Sequence, residues 1–225
     1  MGDRRALSRL LSLIEAGDPS ADAEVVEVVE SGTPARRVGI TGPPGAGKST
    51  LVNAMVTVLR ERGETVAVLA VDPSSPVTGG ALLGDRIRMQ GHIDDPGVFV
   101  RSMASRGHLG GLAPTAATVI AVLARSGFDV VLVETVGVGQ SEIEVMDLVD
   151  VVVLVLGPGW GDEIQANKAG IIEISDVFVV NKADRPGVDI VRRALVESLG
   201  DSEAPVLTTT ALTGEGVASL VDAVS

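Results

Sequence analysis

Eight residues, Gly42-Pro43-Pro44-Gly45-Ala46-Gly47-Lys48-Ser49, constrain this chain more than any other stretch. They fit the spacing G-x-x-x-x-G-K-[ST] at every fixed position. An apolar run, 38–41, precedes them and an amphipathic stretch follows. Gly45 and Gly47 permit backbone angles that turn successive N–H groups inward, which makes a nest for an anion. The helix that must begin at the end of the loop adds its positive pole. The expected phosphate-binding set is Gly42, Pro43, Pro44, Gly45, Ala46, Gly47, Lys48, Ser49 and Thr50. Lys48 is placed to reach β- and γ-phosphates, and Ser49 to ligate Mg²⁺.

A strand, a phosphate loop and a helix in this order belong to a layered α/β fold, and the rest of the chain agrees. Apolar, Val-rich runs at 38–41, 66–71, 98–101, 130–134, 151–156, 177–180 and 206–208 read as strands buried on both faces. Helical patterns fit between them at about 47–62, 112–126, 163–174, 187–199 and 216–224. The alternation predicts a P-loop NTPase, with a doubly wound, mostly parallel sheet flanked by helices. Before it, Leu7, Leu10, Leu11 and Ile14 recur at helical spacing. Gly17-Asp18-Pro19 interrupts, and a second helix runs to about Glu30. The expected division is a helical extension and linker, 1–34, and a nucleotide-binding domain, 35–225.

Composition removes several classes of function. With no cysteine there is no disulfide scaffold, thiolate metal site or thiol nucleophile. A net charge of −12 argues against a general nucleic-acid footprint and against adhesion to anionic membranes. No run approaches the roughly 18 apolar residues of a membrane span. Arg4 and Arg5 stand before an apolar patch, but Glu15 and Asp18 interrupt it and no cleavage site follows. The expectation is a cytoplasmic protein without nucleic-acid or membrane partners.

Asn181-Lys182-Ala183-Asp184 directly follows the run 177–180 and reads as N-K-x-D, the guanine-recognition element of GTPases. A carboxylate at Asp184 accepts from guanine N1–H and the 2-amino group. Adenine offers neither, so the carboxylate would stay unpaired beside it. Thr210-Ala211-Leu212 stands where GTPases give a backbone N–H to guanine O6. The expected ligands are therefore GTP or GDP with Mg²⁺, held at the base end by Asn181, Lys182, Asp184, Thr210, Ala211 and Leu212.

Acidic residues close two of the strand candidates, Asp72 after 66–71 and Glu134 at the end of 130–134. Beside a phosphate loop, such carboxylates are expected partners of Mg²⁺. Val138 occupies the point where Ras-type enzymes place a water-orienting glutamine. Asp85, Gln140 and Lys168 are three alternatives for that task. The glycine pairs 79–80 and 110–111 suit loops that respond to a γ-phosphate, and Arg106 is a candidate phosphate sensor. His92 and His108 make no metal spacing and receive no role. Trp160 reads equally as a partner contact and as a cover for apolar surface.

Together these residues are similar to the MeaB/ArgK family of P-loop GTPases, the methylmalonic aciduria type A protein family. The stretches that carry the resemblance are GITGPPGAGKSTL, AVLAVDPSSPVTGGALLGDRIRM, RGHLGGLA, FDVVLVETVGVGQSE, GPGWGDEIQANKAGI and VNKAD. The resemblance implies a GTPase chaperone of a cobalamin-dependent acyl-CoA mutase, such as methylmalonyl-CoA mutase. It implies slow hydrolysis alone and stimulation by the mutase. It aligns Asp72, Asp85 and Glu134 with acidic residues around Mg²⁺, and Lys168 with a lysine that supports hydrolysis. The matching loop, 159–168, couples nucleotide state to the mutase. Family members continue into a C-terminal helical arm used for homodimerisation. Here only nine residues, 217–225, follow the last loop, so the arm is not expected and a homodimer is an open alternative. Two alternatives are an ATPase or kinase of arginine/ornithine (LAO/AO) transport, against which the guanine motif argues, and a metal-insertion GTPase. Relatives of the latter kind carry Cys or His ligands that this chain lacks.

Overall fold

A computed structural model of the chain describes residues 4–73, 90–92, 94–105, 113–135, 140–160 and 171–225. Seven strands form one sheet: β1 (Arg36–Thr41), β2 (Val66–Pro73), β3 (Val98–Ser105), β4 (Val130–Thr135), β5 (Val151–Leu156), β6 (Val177–Asn181) and β7 (Val206–Thr209). Their order is β3-β2-β4-β1-β5-β6-β7, and every pairing is parallel. Helices α1 (Arg4–Ala16), α2 (Asp22–Ser31), α3 (Lys48–Glu61), α4 (Ala113–Arg125), α5 (Gln140–Met146), α6 (Val188–Leu199) and α7 (Val217–Ala223) cover the two faces. Strand order reverses beside β1, with β4 on one side and β5 on the other. Ligands of open parallel sheets bind at the carboxyl ends of the strands at such a reversal, which is where the loop after β1 lies.

Side-chain alternation explains the layering. Along β4, Val130 and Leu132 join the core shared with α3 and α7, whereas Val131 and Val133 join the core shared with α1, α4 and α5. A third cluster packs α6 against Leu154, Leu156, Phe178 and Val180. Both faces of the inner strands are thus dry, as their continuous apolar runs require. Leu10 and Leu11 of α1 are buried in the same cluster as Phe99, Ile120 and Leu123. Arg101 of β3 ties α1 down through Glu15, at 2.8 Å.

The seven expected strands are all present, five of them one to four residues longer at the carboxyl end than expected. The stretch 171–174, expected to close a helix, forms turns, and the remainder of 163–170 lies outside the described residues. One helix was not expected. α5 is seven residues long, too short for a periodicity to stand out, yet it buries Val145 and Met146 on the sheet. Gly39 makes room for it: a Cβ there would lie 2.5 Å from Met146 Sδ and 2.9 Å from Val149 Cγ2. No described helix is long and apolar enough to cross a membrane.

Candidate nucleotide site

The loop between β1 and α3 begins where β1 leaves the sheet. Gly47 caps α3 with φ 94°, a left-handed conformation that L side chains rarely adopt. A Cβ there would also stand 2.5 Å from Asn181 Nδ2. Lys48 is only 6% exposed, and its ammonium donates to the carbonyls of Gly42 (2.7 Å) and Pro43 (3.0 Å). A buried ammonium must be paired, and these carbonyls keep Lys48 folded over the loop in front of α3.

Ser49 Oγ donates to Glu134 Oε1 at 2.6 Å. Glu134 is 7% exposed, one residue short of the end of β4, and is Cα-paired with Ile40 of β1. Beside it, Thr135 Oγ1 donates to Thr41 Oγ1 at 3.2 Å, both side chains being fully buried. A hydroxyl and a carboxylate thus converge next to the phosphate loop at the carboxyl ends of β1 and β4. Oxygen donors of this kind suit Mg²⁺, which takes one or two protein ligands and fills its octahedron with water and phosphate oxygens. Asp72 is the penultimate residue of β2, opposite Ala104 of β3. Gln140 opens α5. Asp85, Lys168, Arg106, His108 and the glycine pairs 79–80 and 110–111 lie outside the described residues. His92 Nε2 sits 3.1 Å from Thr57 Oγ1. Trp160 packs against the α6 cluster.

At the base end, one side chain joins three segments. Asn181, 1% exposed, donates through Nδ2 to the Ala46 carbonyl at 3.0 Å. Its Oδ1 accepts from Thr209 Oγ1 at 3.0 Å and from the Ala211 N–H at 3.1 Å. Lys182, at φ 62°, is left-handed without being glycine, and its ammonium donates to the Gly45 carbonyl at 2.6 Å. The loops after β1, β6 and β7 are thereby fixed to one another. They surround an open pocket lined by Gly47, Thr50, Asn181, Lys182, Asp184, Arg185, Thr210, Ala211 and Leu212.

Two features of this pocket were not legible in the sequence. The Ala211 N–H is committed to Asn181. The next N–H, that of Leu212, makes no hydrogen bond among the described residues. Arg185 also lines the pocket. Its position directly after Asp184 was the only available hint, and no motif includes it.

The residues from 7 to 225 match the family model described as "Methylmalonyl Co-A mutase-associated GTPase MeaB". A Pyrococcus horikoshii relative is 50% identical over 228 residues, covering 97% of this chain and 72% of its own length. Escherichia coli GTPase ArgK is 43% identical over 187 residues, 81% of this chain and 56% of its own. The mouse protein named methylmalonic aciduria type A homolog, mitochondrial, is 47% identical over 161 residues, 72% of this chain and 39% of its own. Among solved structures, one titled LAO/AO transport system kinase superposes with a TM-score of 0.66 at 28% identity. It covers all of this chain, which spans 75% of that one. The hydrogenase maturation factor HypB of Archaeoglobus fulgidus, at 16% identity and a TM-score of 0.63, shares the fold. A family match that runs from residue 7 to the last residue, on a fold whose loops meet around one pocket, leaves no doubt of descent: the chain belongs to the MeaB family and is a GTPase.

Proposed function

We propose that the chain binds Mg·GTP in this pocket, hydrolyses it, and uses the cycle as a chaperone that assists cofactor loading and protection of a cobalamin-dependent acyl-CoA mutase. The observation that supports it most is the Asn181 bridge. It holds the phosphate loop and the base loops at one fixed spacing, through Ala46 on one side and Thr209 and Ala211 on the other. Guanine then fits by its hydrogen-bonding edge. Asp184 accepts from N1–H and the 2-amino group, and the unengaged Leu212 N–H donates to O6. Lys182 covers the pocket floor while gripping Gly45.

On the phosphate side, Lys48 exchanges the Gly42 and Pro43 carbonyls for β- and γ-phosphate oxygens. Its charge and the loop N–H groups offset the negative charge that spreads over the transferred phosphoryl group. Ser49 and Glu134 are the residues that would hold Mg²⁺, with Asp72 and Asp85 as further candidates. Held there, Mg²⁺ would supply Lewis-acid neutralisation of the phosphate charge. Asp85, Gln140 and Lys168 remain the candidates for orienting the attacking water. The mutase as client rests on the description of the matched family.

The test is the rate of GTP hydrolysis alone and with a purified methylmalonyl-CoA-type mutase, with ATP in parallel. The expected result is slow GTP turnover, marked stimulation by the mutase, and negligible ATP turnover. GTP turnover that the mutase leaves unchanged would sink the client assignment while leaving the GTPase intact.

A further inference from the structure

Arg185 lines this pocket without a side-chain partner among the described residues. The ion pairs of the described residues use Arg36, Arg37, Arg60, Arg62 and Arg101. The Arg185 guanidinium takes part in none of them, and among the described residues it makes no side-chain hydrogen bond. Its backbone is nonetheless fixed. The Arg185 N–H donates to the Lys182 carbonyl at 2.9 Å, closing the turn that starts at left-handed Lys182. Pro186 follows and restricts Arg185 further. The turn brings Arg185 to the pocket wall together with Asp184 and Leu212. Leu212 is 81% exposed, the largest exposure of any described large apolar residue.

The base end of the pocket thus carries one planar cation and one apolar side chain, both open to water and neither engaged by another side chain's hydrogen bond or ion pair among the described residues. A purine held by its edge presents two π faces. Guanidinium planes stack on such faces, and a weakly hydrated cation is drawn to them. Phosphates are served at the opposite end, by Lys48 and Gly47. We propose that Arg185 is a nucleobase clamp, its guanidinium stacking on the guanine ring at the pocket mouth, with Leu212 completing the apolar wall. This rests on the guanine reading of the pocket and adds to it a contact that acts on the ring rather than on its edge.

Dissociation constants of GMP, GDP, GTP and IDP for the parent chain and for Arg185→Ala, Arg185→Lys and Arg185→Phe test it. Stacking predicts that Arg185→Ala weakens all four by the same factor, about three- to tenfold. The GDP/IDP ratio, set by the 2-amino group at Asp184, should not move. Arg185→Phe, planar but without charge or donors, should restore binding to within about twofold, and Arg185→Lys should not. Unchanged binding in Arg185→Ala would overturn the clamp. So would a loss that grows from GMP to GTP and is rescued by Lys, since that pattern marks a phosphate contact. The parent chain's preference for GDP over ADP, measured in the same titrations, tests the guanine reading separately.

Discussion

At the scale of single residues, the site is a set of groups already bound to one another. Lys48 holds two carbonyls of its own loop, Ser49 holds Glu134, and Asn181 holds Ala46 and Ala211. Preorganisation of this kind lowers the cost of ordering the loops when a nucleotide arrives. Lys48→Ala should weaken GTP binding by about 100-fold, since hydrogen bonds to a charged group contribute about 1.5–3 kcal/mol each. Calorimetric titration of the variant, on protein whose circular dichroism matches the parent, checks this. Asp184→Asn replaces an acceptor by an amide that can donate. It should weaken GDP by about 10- to 100-fold and raise affinity for XDP, whose ring has a carbonyl where guanine has the 2-amino group. A variant that loses both nucleotides equally would show that Asp184 does not read the base. The residue scale is also where sequence reading reached least far. The octad 42–49 and Asn181-Lys182-Ala183-Asp184 are legible because their chemistry needs fixed types at fixed spacing. The place of the Arg185 side chain and of the Leu212 N–H at the pocket depends on how three separated loops meet, which no spacing in one segment records.

At the scale of elements, the strands were legible and the short helix was not. Buried parallel strands need apolar side chains on both faces, and Val-rich runs such as 151–156 have few other uses. α5 depends on Gly39 leaving space for Met146, a contact between distant segments. The strand ends opposite the nucleotide site are fastened by carboxylates. Asp129 accepts from the Thr65 N–H and hydroxyl, both at 2.7 Å, and Asp150 pairs with Arg37. The Thr65 backbone and hydroxyl bonds hold the Asp129 carboxyl below the usual carboxylate range. The Arg37 side-chain bond does the same, first of all causes, for Asp150. A folded-state pKa below the unfolded value of about 3.9 means stability that is present above that pH and lost as pH falls through the folded value. Asp129 is exposed, so its share is small, about 0.5 kcal/mol. Urea midpoints at pH 7 and pH 3 should show the parent losing more on acidification than Asp129→Asn. Equal losses would remove Asp129 from this role.

At the scale of the whole molecule, one sheet carries everything described. α1 and α2 pack into the same core as β3 and α4, and the nucleotide loops gather at the carboxyl ends of β1, β4, β6 and β7. Because the pocket is built from loops far apart in the chain, a bound nucleotide ties the fold together. At a concentration 100 times its dissociation constant it should add about 2.7 kcal/mol of stability. The chain spans 72% of the Pyrococcus horikoshii relative and 56% of Escherichia coli ArgK. The central claim, that the loops after β1, β6 and β7 form one guanine-nucleotide site, is tested most directly by competition between GTP and ATP in the presence of Mg²⁺. A site whose acceptor and donor match the guanine edge should favour GTP by more than about 100-fold. If ATP displaces GTP at equal concentration, the base pocket does not read guanine and the account fails at its centre.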